Sequence, residues 1–522
     1  VNAADSTADD EGLPQGQRGR EVGERSVEKA GSVKKASSRD AISHAESICE
    51  RFGIPMTEQL RQWWNTYDDT PLWKSVGPGE YRHAATPESL LSEVPDAVWP
   101  PLMPPNFLPL VGNGAGDWLC LRLLDPDVAA ATGRATDVCH WYHGGGDWMP
   151  WGDTLAEALL FDWMLPHLPQ SSRRHADPAE SIGDPPQDQT DRPHISQLDH
   201  PWARWVKACL PAIQSIDFVD SSPSELGRQM IAADLCEIPV RCQLTIDSLD
   251  SVLSNELEPK SAHQLGLSWN DLMRWCFDLR QLPESVAMRL RNELGVAPAD
   301  FNADQQQWDV IEEHAEAISR RAADLSWGHD LIGYCRLRRG DHRAARESFR
   351  IALRCSVFTD QSVRLRTHWA MSSNGVAKFA ARFLGEKDLL LNHENHSPNQ
   401  PLGNESADSA LVPIEQLGLV PQSIDSITLT HHLGKPTSEN SDSVRKRYSA
   451  MLMEAAKKTV PDSPATAARL YYCAGWDLGA EPLKCYGELL DNYINACRQA
   501  GWSGHERLAR VHRRGLQSRY NL

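Results

Sequence analysis

Apolar positions fall into three kinds of spacing along this 522-residue chain, and the spacing divides it. Leu60, Trp63, Trp64 and Tyr67 recur every three or four positions after an Ile54-Pro55 entry. That is the stripe of an amphipathic helix, with Thr57 placed to cap its first turn. The runs Trp118-Leu-Cys-Leu-Arg-Leu and Val138-Cys-His-Trp-Tyr are short, glycine-flanked and rich in Trp, Leu, Val and Tyr, which predicts strands. A closing helix is predicted over 153–164. Beyond residue 200 the helical period dominates. Trp308, Ile311, Ala315, Ile318, Ala322 and Leu325 form one stripe, and further helices are predicted at 269–279, 443–458, 464–472 and 482–500.

The breaks in the pattern set the domain boundaries. Residues 1–43 hold eight acidic and seven basic residues and no large apolar cluster. Such a tail has little to bury against the entropy of ordering and is expected to be disordered. Residues 169–199 carry Pro178, Pro185, Pro186 and Pro193 among Asp, Gln and Ser, the chemistry of a linker. A third polar stretch, 392–408, reads as a long loop. The expected fold is therefore an α+β domain at 44–168, mostly antiparallel sheet with flanking helices. An all-α, helical-repeat-like domain follows at 200–522.

Composition narrows the function. Hydrophobic residues make up 41% and charged residues 24%, so the chain can bury ordinary cores. A net charge of −18 without a clustered Lys/Arg face argues against nucleic acid. No run reaches the ~20 apolar residues of a membrane span, and residues 1–30 lack the apolar core of a signal peptide. The twelve cysteines are scattered with no CxxC, which reads as reduced thiols in a cytoplasmic protein. Between residues 45 and 164, seventeen acidic residues face six basic ones, a net of −11. That acidity either steers a basic partner or serves solubility.

The candidate chemistry sits in the same block. Gly112, Gly114 and Gly116 lead into a strand and predict a tight turn with positive φ, with Asp117 placed to accept backbone N–H groups there. A phosphate loop would need Gly-Lys-Ser/Thr opening a helix, so that reading is rejected. Trp148 and Trp151 lie in the loop-like segment 144–152 and are read either as partner anchors or as packing residues. With Trp141, His143 and Asp147 they form the candidate contact set. Cys139, His140, His143 and Asp147 are the one cluster with ligand chemistry. On a strand, positions three apart point to opposite faces, and the second half of a zinc site is missing. No metal, cofactor or catalytic residue is therefore assigned. A metal-dependent hydrolase using His140, His143 and Asp147 is the enzymic alternative.

The order of these elements resembles the SUKH superfamily, which includes Smi/Knr-type regulators of yeast cell-wall synthesis and many bacterial immunity proteins. The similarity covers about residues 44–166. It rests on Ile54-Pro55, on Pro109 to Leu121 with Gly116-Asp117-Trp118 as the most specific piece, on Trp141 to His143, and on Asp153 to Phe161. The chain departs at Arg122-Leu123, where the family strand ends in Asp, and at Gly152-Asp153-Thr154, where the last helix usually opens with Ser-Phe. The resemblance implies a non-catalytic domain that binds a protein, in bacterial members commonly a toxin and often a basic nuclease. In the helical half, Ile332, Gly333, Gly340, Asp341, Ala345, Phe349 and Ala352 resemble a tetratricopeptide repeat, with a hairpin near 326–357. Arg336 stands where an aromatic is usual and Val357 replaces the closing proline, and a weak echo follows at Gly375, Ala380 and Leu384. A protein-binding module is the leading expectation, its partner a protein and a basic toxin among the candidates. A helical scaffold or adaptor is the third reading.

Overall fold

The computed structural model describes residues 43–95 except 66 and 70, 103–143, 148–169, 200–256 except 219, 305–351 except 342, 346, 349 and 350, 441–477 and 486–521. The predicted tail, linker, 392–408 loop and 269–279 helix lie outside the described residues, apart from a few flanking positions. So do Asp147, Phe349, Ala352, Val357 and the echo at Gly375, Ala380 and Leu384.

The N-terminal block opens with one more helix than its pattern predicts. Helix α1 (His44–Phe52) is started by a capping box between Ser43 and Glu46 and ended by Gly53 at φ 65°. Helix α2 (Glu58–Trp64) begins where expected, with Thr57 Oγ1 accepting from Leu60 N, and it buries Leu60, Trp63 and Trp64. Five strands follow: β1 (His83–Ala84), β2 (Phe107–Gly112), β3 (Trp118–Leu123), β4 (Thr136–Trp141) and β5 (Trp148–Gly152). They pair in sequence order, every pair antiparallel. Helix α3 (Pro87–Leu91) lies between β1 and β2, α4 (Pro126–Thr132) between β3 and β4, and α5 (Leu155–Met164) follows β5. The block is thus an antiparallel sheet with flanking helices.

Strand β5 corrects the sequence reading, which took 144–152 as loop. All five of its residues are buried. Its proline is tolerated because β5 is an edge strand, where a missing N–H breaks no second ladder.

Registry gives the sheet two distinct ends. His83 pairs with Gly112, Gly112 with Trp118, Trp118 with Trp141 and Trp141 with Trp148, so one row crosses all five strands at the end bearing the glycine turn. Directly paired residues share a face. Phe107 opposite Arg122, and Arg122 opposite Asp137, mark the same face at the other end. On the opposite face His140 lies 5.6 Å from the Tyr81 ring and 4.8 Å from Trp151. Trp151 in turn packs edge-on against Phe161 of α5 at 4.7 Å.

The later helices are α6 (Pro201–Cys209), α7 (Pro223–Ala232), α8 (Glu237–Glu256), α9 (Gln305–Arg321), α10 (Ser326–Arg338), α11 (Ser441–Thr459), α12 (Pro464–Tyr472), α13 (Tyr486–Gln499) and α14 (Ser503–Tyr520). The stripe from Trp308 to Leu325 is buried at every position read from the sequence. After α10, Gly340 turns the chain at φ 81° and Asp341 Oδ1 accepts from Ala344 N. Ile332, Gly333 and Ala345 are buried around this turn. The helices close directly on the N-terminal block: Trp205 of α6 lies 5.7 Å from Trp63, Trp202 lies 6.1 Å from Trp163, and one buried cluster runs through both halves. Among the described residues no helix is long and apolar enough to cross a membrane.

Candidate functional site

At the turn end, Asn113 holds the β2–β3 connection. Its Oδ1 accepts from Ala115 N at 2.9 Å and from Asp117 N at 3.1 Å. Gly114 and Gly116 have φ of 83° and 113°, as expected. Gly112 does not. It ends β2 in ordinary backbone, and its lack of a Cβ leaves room for the Trp118 indole, which a Cβ would meet at 3.2 Å.

Asp117 also departs from expectation. The backbone groups inside the turn go to Asn113, while Asp117 reaches across to the segment after β4. Its Oδ1 accepts from His143 N at 3.0 Å and lies 2.8 Å from the ring Nδ1. Burial pushes its carboxyl up, but the two His143 hydrogen bonds outweigh that, and its pKa is lowered. The β2–β3 turn is thereby tied to the chain just after β4. Around it Ala115, His83 and His143 are exposed, and Trp118 and Tyr142 are half-buried.

The candidate contact residues are dispersed. Trp141 is fully buried, Trp148 is 8% exposed and Trp151 is 3% exposed, so these three are packing residues. His143 reaches the surface. Trp118 and Tyr142, which composition did not single out, are the aromatics that the fold leaves at the turn. The available signal was positional: each adjoins a glycine-rich connection at a strand end. The cluster with ligand chemistry is also pulled apart, with His140 inside the core and His143 outside it. Among the described residues no group of three or more His, Cys, Asp or Glu is arranged to hold a metal ion.

The opposite end is a seam between the sheet and the later helices. Arg122 is buried and donates to both oxygens of Asp137, at 2.9 and 2.5 Å, and to Asp324 after α9. Its guanidinium lies 4.3 Å from the Trp148 ring centroid. Burial opposes its charge, and the two carboxylates outweigh burial. Arg469 of α12 grips Asp125 at 2.7 and 2.8 Å and Asp127 at 2.5 Å, stacked 5.2 Å from Trp502. Asp153 is met by Arg134 and by Arg321 of α9. Four of the acids that make the N-terminal block negative thus face arginines of the same chain. Between these pairs lies a cavity of about 360 Å³ walled by Asn106, Trp148, Asp324, Arg469, Tyr472 and Trp502.

No protein-family model, curated protein or solved structure matches the chain.

Proposed function

We propose that the chain is a non-catalytic protein-binding protein, an immunity or regulatory module of the SUKH type, which meets its partner through the turn end of the sheet. The supporting observation is the Asp117–His143 link, which fixes the β2–β3 turn against the chain just after β4 and leaves Trp118, Tyr142, His83 and His143 around it. A surface already held in one geometry loses little entropy on binding, and aromatic side chains are favoured anchors. The same Gly116-Asp117-Trp118 segment carries the family resemblance. The partner is a protein with a basic surface, a basic toxin among the candidates. The helical half acts as a tetratricopeptide-like scaffold, a reading supported by the Gly340-Asp341 reversal and the buried Ile332, Gly333 and Ala345.

The test uses the full chain and its Ala115→Arg variant, since Ala115 is exposed at the tip of the turn. A protein recovered from native cells by the parent chain and lost with the variant, at unchanged thermal unfolding, is the expected result. Equal recovery by both chains contradicts the proposal.

A further inference from the structure

From Asp153 the seam continues to α5 and to the loop between α7 and α8. Arg321 of α9, which meets Asp153, also reaches Asp234 in that loop and, at 2.5 Å, Glu237 of α8. The other oxygen of Glu237 accepts from Arg241 at 2.8 Å. Glu157 of α5 lies among these groups, and its Oε2 accepts from Asp153 N at 3.0 Å. The charges are uneven. Three guanidiniums, Arg134, Arg241 and Arg321, stand against four carboxyls, Asp153, Glu157, Asp234 and Glu237. The other groups that face them do not restore the balance. His314 takes a hydrogen bond from Arg241 at 3.1 Å and is neutral near pH 7, because burial pushes its pKa down to about 4. From α2 comes the uncharged Gln59, whose Oε1 accepts from Ala156 N. Behind Arg134, Arg122 is already outnumbered by Asp137 and Asp324.

Glu157 is the carboxyl that takes up the imbalance. The other three are bridged by guanidiniums, while Glu157 is held by the backbone N–H groups of Asp153 and Cys236. Burial and the charge of Asp234 raise its pKa to about 7, against Arg321, Arg134 and the Cys236 N–H, which lower it. The loop it holds is strained. Asp234 and Cys236 both stand in the left-handed region, at φ 54° and 51°, which non-glycine residues keep only where surrounding contacts impose it. Here those contacts are the Cys236 N–H on the Glu157 carboxyl, the Cys236 thiol donating to Glu157 O at 3.3 Å, and Asp234 on Arg321.

We infer that the α7–α8 loop is a pH-operated latch, closed on α5 while Glu157 holds its proton and released as Glu157 ionises. Ionisation puts a fourth negative charge beside Asp234 where water reaches it poorly, and the strained loop is the part that yields. In the open form Glu157 is solvated and titrates near its ordinary value of 4.5. The closed form therefore has its full advantage below about pH 4.5 and loses it as pH rises to about 7. Release uncovers Cys236, which the closed latch buries. The latch is separate from the turn end, so its test is independent of partner capture.

Amide hydrogen exchange of the full chain, read at residues 234–236 by mass spectrometry at pH 5 and pH 8, tests the latch. In the closed form Asp234 N donates to Ile231 O at 3.0 Å and Leu235 N to Met230 O at 2.9 Å. Glu157→Gln keeps an acceptor for Asp153 N and removes the titration. Comparing parent and variant at the same pH cancels the intrinsic pH dependence of exchange. Between the two pH values, protection in the parent should fall at least about tenfold relative to the variant. Asp234→Asn restores an even count of charges and should reduce that fall to about threefold or less. Equal pH dependence in the parent and Glu157→Gln would overturn the inference. So would an unchanged fall in Asp234→Asn, or the same fall at the β3 amides of 119–121, the mark of whole-chain unfolding.

Discussion

The two ends of one five-stranded sheet put the same residue types to opposite uses. At the seam end, aspartates and arginines are drawn inward and matched. Asp137 and Asp324 close on Arg122, and Asp125 and Asp127 close on Arg469. At the turn end, Asp117 holds His143 at the surface, with Trp118 and Tyr142 half-buried beside it. Charge at the first end holds the chain to itself, and charge at the second shapes an exposed platform. Net acidity alone does not separate these uses. The −11 of residues 45–164 reads as an invitation to a basic partner until Asp125 and Asp127 are found on Arg469 and Asp153 on Arg321, arginines that lie outside that block.

Substitutions at each end sharpen the contrast. The largest effect is expected from Arg122→Met, which leaves Asp137 buried without its partner. Denaturant unfolding should show a loss of about 3–5 kcal/mol. Replacing Asp137 by Leu as well should return much of it, since the uncompensated charge is removed. Recovery in the double variant would mark the pair as structural. Next comes Gly116→Ala. Its φ of 113° is hostile to a Cβ, and the new atom would lie 2.9 Å from the His143 ring. A loss of about 1–3 kcal/mol is expected by the same measurement. Gly112→Ala should cost less, because only the packing of the Trp118 ring opposes it.

A third effect depends on pH. Asp162 of α5 supports the turn end through Tyr81 N, and burial raises its pKa to about 7. Between about pH 4 and 7 the folded state holds a proton that the unfolded state has released, so this group's contribution to stability falls as pH rises through that window. Asp162→Asn removes the dependence and keeps the acceptor for Tyr81. Relative to the parent, the variant should gain roughly 4 kcal/mol between pH 4 and pH 8. Denaturant melts at the two pH values check it, and a constant difference would contradict it. The smallest effect is Ala115→Arg, expected to change stability by less than about 0.5 kcal/mol because the residue is exposed.

The local elements were legible where one signal dominated. The Thr57 cap, the Trp118-to-Leu123 strand and the helix at 464–472 follow from short patterns that tertiary packing did not override. Strand β5 was not legible, because Gly144-Gly-Gly and Pro150 carry the composition of a loop and only an edge position makes them compatible with a sheet. The choice between anchor and packing for Trp148 and Trp151 stayed open in the sequence for a related reason. Burial depends on the face and row that registry assigns, and registry is a long-range property. Arg122 carried a hint, a lone charge in Leu-Cys-Leu-Arg-Leu where the resembling family ends its strand in Asp. Its partner Asp324 lies 202 residues away, beyond any local pattern. The seam cavity is hidden likewise, since its walls come from segments hundreds of residues apart.

The most direct test of the two-ended sheet is site-specific photo-cross-linking of the full chain in native cells, with the cross-linker at position 115 in one preparation and at position 128 in another. Position 115 should give adducts with a second protein, and position 128 should give only links to the chain's own later helices. Intermolecular adducts from 128 with none from 115 would contradict the assignment of the partner surface to the glycine turn.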